Sequence, residues 1–89
     1  VLVRYGGEEF LLVLPDTGGA DIVATAERIR RAVAETDIVE GGQRISVTVS
    51  IGGAGLPHPL SESPADLIRL ADRAVYDAKA GGRDRCVIA

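Results

Sequence analysis

The segment Arg4-Tyr5-Gly6-Gly7-Glu8-Glu9-Phe10 concentrates the residue types that do chemistry. Two adjacent glutamates follow directly on a glycine pair. Carboxylates are hard oxygen ligands of the kind Mg²⁺ prefers. Glycines without a Cβ let a phosphate approach the backbone, whose N–H groups can donate to it. Strand alternation sends Glu8 and Glu9 to opposite faces, whereas an irregular turn brings them together; the sequence leaves both open. Charged residues beside a glycine pair are also ordinary for a hairpin, and spacing alone favours that plainer reading. A second cluster is Lys79-Ala80-Gly81-Gly82-Arg83. Two cations at the end of a helix answer the helix dipole. They equally make a phosphate clamp, the lysine a point charge and the arginine a bidentate donor.

The elements that position these groups follow from periodicity. Val1 to Tyr5 and Phe10 to Leu14 are apolar runs flanking the glycines, which predicts a β-hairpin whose turn draws on the positive φ open to glycine. The second run, FLLVL, is apolar throughout, which predicts a strand buried on both faces. From Ala20 to about Glu35 the period turns helical, with Ile22, Ala26, Ile29 and Val33 in one stripe. Ile45, Val47, Val49 and Ile51 alternate with small polar residues and predict a single strand. Ser63-Pro64-Ala65-Asp66 reads as a capped helix start, with Leu67, Ala71, Ala74, Val75 and Ala78 as the buried stripe and Gly81-Gly82 as the stop. Arg85 to Ile88 adds a last strand. The order ββαβαβ is an α+β pattern, helices covering a sheet.

Composition narrows the classes. The 89 residues carry thirteen acids against ten bases, a formal net charge of −3, which argues against binding nucleic acid through a basic field. No apolar run reaches the roughly 20 residues of a membrane span. The single cysteine, Cys86, forms no internal disulfide, and a reducing, cytoplasmic setting is the expectation. There is no methionine, and the chain opens on Val1-Leu2-Val3 as if within a strand, so these residues are expected to be a piece of a longer chain. Among ten bases only Lys79 is a lysine. His58 lies between two prolines with no second histidine to form a metal site. Cys86 is expected to be a small buried residue, Tyr76 to pack between helix and sheet, and Asp72 and Asp77 to lie on the polar side of the last helix. Arg28, Arg30 and Arg31 read first as a solvated helix face.

The segment from Arg4 to Phe10 resembles the signature of the GGDEF domain of diguanylate cyclases, in its GGEEF form. Leu14-Pro15-Asp16-Thr17, Ala26-Glu27-Arg28-Ile29-Arg30, Val49-Ser50-Ile51-Gly52, Ala71-Asp72, Val75-Tyr76-Asp77-Ala78-Lys79 and Gly82-Arg83 are similar to the family in the same order. The resemblance implies a ferredoxin-like, nucleotide-cyclase-type palm and a Mg²⁺-dependent (or Mn²⁺-dependent) phosphoryl transfer. Two domains face each other as a homodimer and condense two GTP into cyclic di-GMP, releasing pyrophosphate. It implies Glu8 as metal ligand and general base, Glu9 as second metal ligand, and Gly6 and Gly7 as the rest for the GTP phosphates. Lys79 and Arg83 become the phosphate-binding pair, with Arg4 assisting. Arg28 matches a helix arginine that in some relatives takes part in inhibitory binding of cyclic di-GMP.

The resemblance makes residues 1–89 the C-terminal half of one GGDEF domain. A first strand with a metal-binding Asp, the segments that recognise guanine and an Arg-x-x-Asp inhibition motif would precede Val1, as would a sensory or receiver domain. That strand would lie between Phe10–Leu14 and the strand ending at Ile51, and the 89 residues alone are expected not to turn over GTP. Asp84 stands where the family usually has Asn, adding a negative charge beside Arg83. The alternative is a non-catalytic GGDEF domain that binds GTP or cyclic di-GMP as a regulatory module.

Overall fold

The computed structural model describes residues 2–89; Val1, placed in the first strand by its apolar character, lies outside the described residues. Strand β1 (Leu2–Arg4) and strand β2 (Phe10–Leu12) pair antiparallel, Leu2 with Leu12, Val3 with Leu11 and Arg4 with Phe10. Among the described residues this hairpin packs on no other strand or helix. Phe10 is 67% exposed, and Leu12, Val13 and Leu14 are also exposed, so the expectation of a strand buried on both faces is corrected. The physical reason is that, among the described residues, β2 pairs only with β1.

Helix α1 (Gly19–Ala34) follows the predicted stripe: Ala26 is buried, and Ile22, Ile29 and Val33 are half-buried. Gly18 caps it without a side-chain bond, and Asp21 sits in the favourable first turn. Beyond it the structure adds a hairpin that periodicity does not suggest, strands β3 (Ile38–Glu40) and β4 (Gln43–Ile45). Gly41 and Gly42 sit at φ 56° and 78°, the double positive φ of a tight two-residue hairpin turn. The single strand expected over Ile45–Ile51 is therefore two pieces. Ile45 ends β4, residues 46–50 carry no strand, and β5 (Ile51–Gly53) begins again where a partner exists.

That partner is β6 (Cys86–Ile88), parallel to β5, with Ile51 opposite Cys86 and Gly53 opposite Ile88. Parallel neighbours need a long crossover, and helix α2 (Pro64–Ala80) is part of it. Ser63 Oγ accepts from Asp66 N at 3.2 Å, the N-cap bond that Ser-Pro-x-Asp predicts, while Asp66 Oδ2 accepts at 2.9 Å from the amide of Glu62, one residue before the cap rather than from Ser63 itself. These bonds, the Glu62 amide first, hold the Asp66 carboxyl below its ordinary pKa. Ala74 and Ala78 are 2% and 0% exposed against β5 and β6, and α1 packs on the same two strands. The α2–β5 contact has no slack: a Cβ on Gly52 would lie 2.2 Å from Val75 N and 2.5 Å from Ala71 O. The result is the α+β architecture expected, two helices on short strands. Neither helix is long and apolar enough to cross a membrane.

Candidate functional site

The hairpin turn is closed by Tyr5 N–H donating to Glu9 O at 2.9 Å and Gly6 N–H donating to the same oxygen at 3.3 Å. The Arg4 guanidinium donates through Nη2 to Gly7 O at 3.0 Å, so its first service is to the turn itself. Neither Gly6 nor Gly7 adopts the positive φ that the sequence reading gave as their reason; Gly41, Gly42 and Gly82 do. What they supply is space. A Cβ on Gly7 would meet nothing within 4 Å, and one on Gly6 would lie 3.5 Å from Glu9 Oε1. Because the Gly6 amide is taken, the Gly7 N–H is the glycine donor left for a ligand.

Across from the turn stands the last half of α2. Tyr5, Glu9, Asp72, Val75, Tyr76 and Lys79 line one open groove of about 220 Å³. The structure thus brings Glu9 and the only lysine together. Glu8 and Arg83 lie outside this groove, both exposed. Among the described residues Glu8, Glu9, Lys79 and Arg83 make no ion pair, leaving their charges uncommitted. No three Asp, Glu, His or Cys side chains among the described residues converge on one point. Glu8 and Glu9 are adjacent in sequence but only Glu9 lines the groove; carboxylates of this kind suit a magnesium ion that keeps waters and substrate phosphates as its other ligands, not a closed all-protein cage.

Arg83 is set by an unusual turn. Gly82, Arg83 and Asp84 have φ of 122°, 62° and 44°, and for a residue with a Cβ the left-handed region costs about 1–2 kcal/mol. Arg83 N–H donates to Ala78 O at 3.0 Å, and Arg85 Nε donates to Arg83 O at 3.0 Å. Asp84 does not draw on Arg83, as its charge suggested. It accepts from Arg30 Nη1 at 2.9 Å.

Arg30 was missed as more than a solvated helix residue. It is half-buried and forked: Nε bonds both oxygens of Glu27 at 3.1 Å, Nη2 also meets Glu27, and Nη1 reaches Asp84. The Glu27 spacing was legible as a helical i, i+3 pair; the partner 54 residues on carried no local signal. The Arg30 hydrogen bonds hold the Glu27 carboxyl down to about 2, and Glu27, followed by Asp84, raises the Arg30 guanidinium further. Cys86, half-buried beside them rather than fully buried, has its thiol pKa pushed up by desolvation and then by Glu27. Tyr76 is not packed between helix and sheet; it is 65% exposed, with the Arg73 guanidinium 5.7 Å from its ring centre. Asp72 and Asp77 are exposed, as expected. Arg28 is exposed on α1 and lines a separate open groove of about 610 Å³ with Glu27, Arg31 and Glu35.

With this geometry in hand, the sequence matches the family described as diguanylate cyclase, GGDEF domain, over residues 1–85. The chain belongs to the GGDEF family. It is similar to diguanylate cyclase A of Treponema denticola, 42% identical over 85 residues that cover 96% of this chain and 23% of the relative. Its fold is similar to that of the active GGEEF domain of a Vibrio cholerae diguanylate cyclase, with TM-score 0.82 and 38% identity over 98% of this chain and 54% of that one. It is also similar to the GGDEF domain of DgcB from Caulobacter crescentus in complex with c-di-GMP, with TM-score 0.87 and 32% identity over 98% and 50%. The GGDEF residues in hand thus span less than a quarter of the curated relative and about half of each solved domain chain.

Proposed function

We propose that residues 1–89 are the C-terminal part of one GGDEF domain in a diguanylate cyclase that condenses two GTP into cyclic di-GMP. The observation that carries this reading is the intact Gly6-Gly7-Glu8-Glu9 sequence, whose Glu9 faces Lys79 across one groove. In the proposed reaction the 3′-hydroxyl oxygen of each GTP attacks the α-phosphorus of the other. A phosphorus–oxygen bond forms, the bond to the β-phosphate oxygen breaks, and pyrophosphate leaves. Bound Mg²⁺ or Mn²⁺ supplies charge neutralisation at the phosphates. The Gly7 N–H donates to a phosphate oxygen, and the open space at Gly7 admits it. Lys79 and Arg83 hold and neutralise the GTP phosphates, in the bound substrate as well as in the pyrophosphate that leaves. Glu8 and Glu9 hold the metal, and Glu8 takes the hydroxyl proton. Arg4 holds the turn's shape through Gly7 O. Arg28, on its own groove, is the residue for inhibitory product binding.

Two such domains must face each other, so the active form is a homodimer, regulated by sensory or receiver segments elsewhere in the chain and working in the cytoplasm where GTP is made. The family's metal-binding Asp and guanine-recognising segments are not among these 89 residues, which alone are therefore expected not to turn over GTP. The test compares cyclic di-GMP formation by the full-length protein and its Glu8→Ala variant. A loss of at least about a hundredfold is expected for removing a metal ligand that is also the base; an unchanged rate overturns the reading. Nucleotide binding without turnover in the wild-type protein would point instead to a regulatory GGDEF module.

A further inference from the structure

We propose that Arg30 is a positioning residue: through Asp84 it ties the Gly82–Arg83–Asp84 turn to helix α1 and thereby fixes the aim of Arg83. This rests on the reading of Arg83 as a phosphate-binding residue. Three consecutive residues of that turn lie in the left-handed region, two of them with a Cβ. Such backbone persists only where its surroundings over-determine it. Two of the ties are local, Arg83 N–H to Ala78 O and Arg85 Nε to Arg83 O. The tie from another element is Arg30 Nη1 to Asp84 Oδ1 at 2.9 Å.

Arg30 is itself held. Its Nε is gripped by both oxygens of Glu27, one turn earlier on α1, so the guanidinium plane is fixed before it reaches Asp84. A planar fork with two arms engaged loses little further freedom in using its third. The order of support runs from the α1 backbone to Glu27, to Arg30, to Asp84, and so to the peptide that carries Arg83. Asn, usual in the family at position 84, tolerates left-handed φ and offers a carbonyl oxygen to the same Arg30 donor; the acid here adds charge to that bond.

The experiment uses the full-length protein and the variants Arg30→Met, which keeps the stem and removes every donor, Asp84→Ala, Asp84→Asn and Arg83→Ala. Residue-resolved hydrogen exchange reads the Arg83 amide directly. Arg30→Met and Asp84→Ala each speed its exchange about fivefold, the upper range for a partly exposed ion pair. The double variant is no faster than either, and Asp84→Asn stays near wild type. On activity, Arg30→Met raises the KM for GTP several-fold with kcat held within about twofold, as for binding lost equally in ground and transition states. In the Arg83→Ala background it changes KM no further. An unchanged Arg83 amide in Arg30→Met, additive single variants, or a full KM effect in the Arg83→Ala background overturns the proposal. A protein that makes no cyclic di-GMP overturns the functional reading, while the exchange rates still decide whether Arg30 fixes the turn.

Discussion

Gly52 is where one methyl group should do the most damage. It lies in β5 directly beneath α2, and an added Cβ would fall 2.2 Å from Val75 N, 2.5 Å from Ala71 O and 2.6 Å from Val75 Cγ2. The first two are backbone atoms of a helix, so no rotamer change relieves them. Either α2 lifts off β5 or β5 leaves β6. Overpacking a well-packed interior costs about 1–3 kcal/mol, and contacts to immovable backbone put Gly52→Ala at the upper limit, about 3 kcal/mol or more. For a whole domain about twice as long as these 89 residues each kcal/mol moves Tm by about 2–4 °C, so the expected fall in the full-length protein is about 6–12 °C. Small domains are stable by only about 5 kcal/mol at the low end, and much of that margin goes.

Thermal unfolding followed by circular dichroism reads this directly, with two controls built into the same fold. At Gly53 a Cβ would meet Ile88 Cδ1 at 2.7 Å and Ile22 Cγ2 at 3.3 Å, side-chain ends that can turn away. Gly53→Ala is therefore expected to lower Tm by less than half as much. At Gly7 nothing lies within 4 Å, and Gly7→Ala should not lower Tm at all. If Gly52→Ala unfolds within about 2 °C of wild type, or no lower than Gly53→Ala, the inference that α2 rests on β5 by backbone contact is wrong.

The Gly7→Ala variant has a second use: folded as well as wild type, it keeps the N–H but fills with a Cβ the space through which the phosphate reaches it, and should raise the KM for GTP about tenfold or more, the scale of a forfeited hydrogen bond to a charged group; an unchanged KM would remove Gly7 from the phosphate site. Lys79→Gln is expected to weaken GTP binding by a similar factor with Tm nearly unchanged, since Lys79 makes no ion pair among the described residues; isothermal calorimetry on the full-length protein checks it, and equal affinity refutes it. Glu27 gives a pH signature. Its folded pKa of about 2 lies below the ordinary 4.5, chiefly through the Arg30 hydrogen bonds, so its contribution is complete above about pH 4.5 and is lost as pH falls toward 2. Wild-type Tm should therefore drop more between pH 5 and pH 2 than that of Glu27→Gln, and parallel curves would show that the bond to Arg30 contributes nothing to stability.

Local chemistry was the part most legible in the sequence. The α2 start was readable because capping depends on residues three apart, Ser63 and Asp66, and α1 because a single stripe of Ile22, Ala26, Ile29 and Val33 fixes its buried side. What failed was whatever depended on a partner strand. FLLVL has the pattern of a doubly covered strand, yet among the described residues only β1 pairs with β2. The alternation from Ile45 to Ile51 reads as one strand, but Gly41-Gly42 turns its first residue back onto β3, and pairing resumes only at β6. In the site, the charges at Glu9 and Lys79 were visible as types; that they share a groove depends on where the β1–β2 turn stands beside α2, which carries no local signal. The Arg30–Asp84 pair had no signal because 54 residues separate its members.

The division of labour between rigid and loose parts bears on how such a site keeps its dimensions. Glu8, Glu9 and Arg83 are all exposed on turns, where packing alone holds little in place. Each turn is instead tied to something stiffer. The hairpin turn is clasped by Arg4 on Gly7 O and by two amides on Glu9 O, and the Arg83 turn by Ala78 O at the fully buried end of α2 and by Arg30 from α1. Lys79 follows Ala78 directly in α2, whose register is locked by Gly52 beneath it. A change at Gly52 should therefore move Lys79 and Arg83 together, whereas a change at Arg30 should move Arg83 alone. Comparing the two variants on GTP binding separates these routes: Gly52→Ala, at a temperature where it remains folded, should cost less in the Lys79→Gln background than in the wild type, whereas Arg30→Met should cost the same in both. If Gly52→Ala costs the same in both backgrounds, then α2 does not set the position of Lys79, and the site's dimensions are fixed elsewhere.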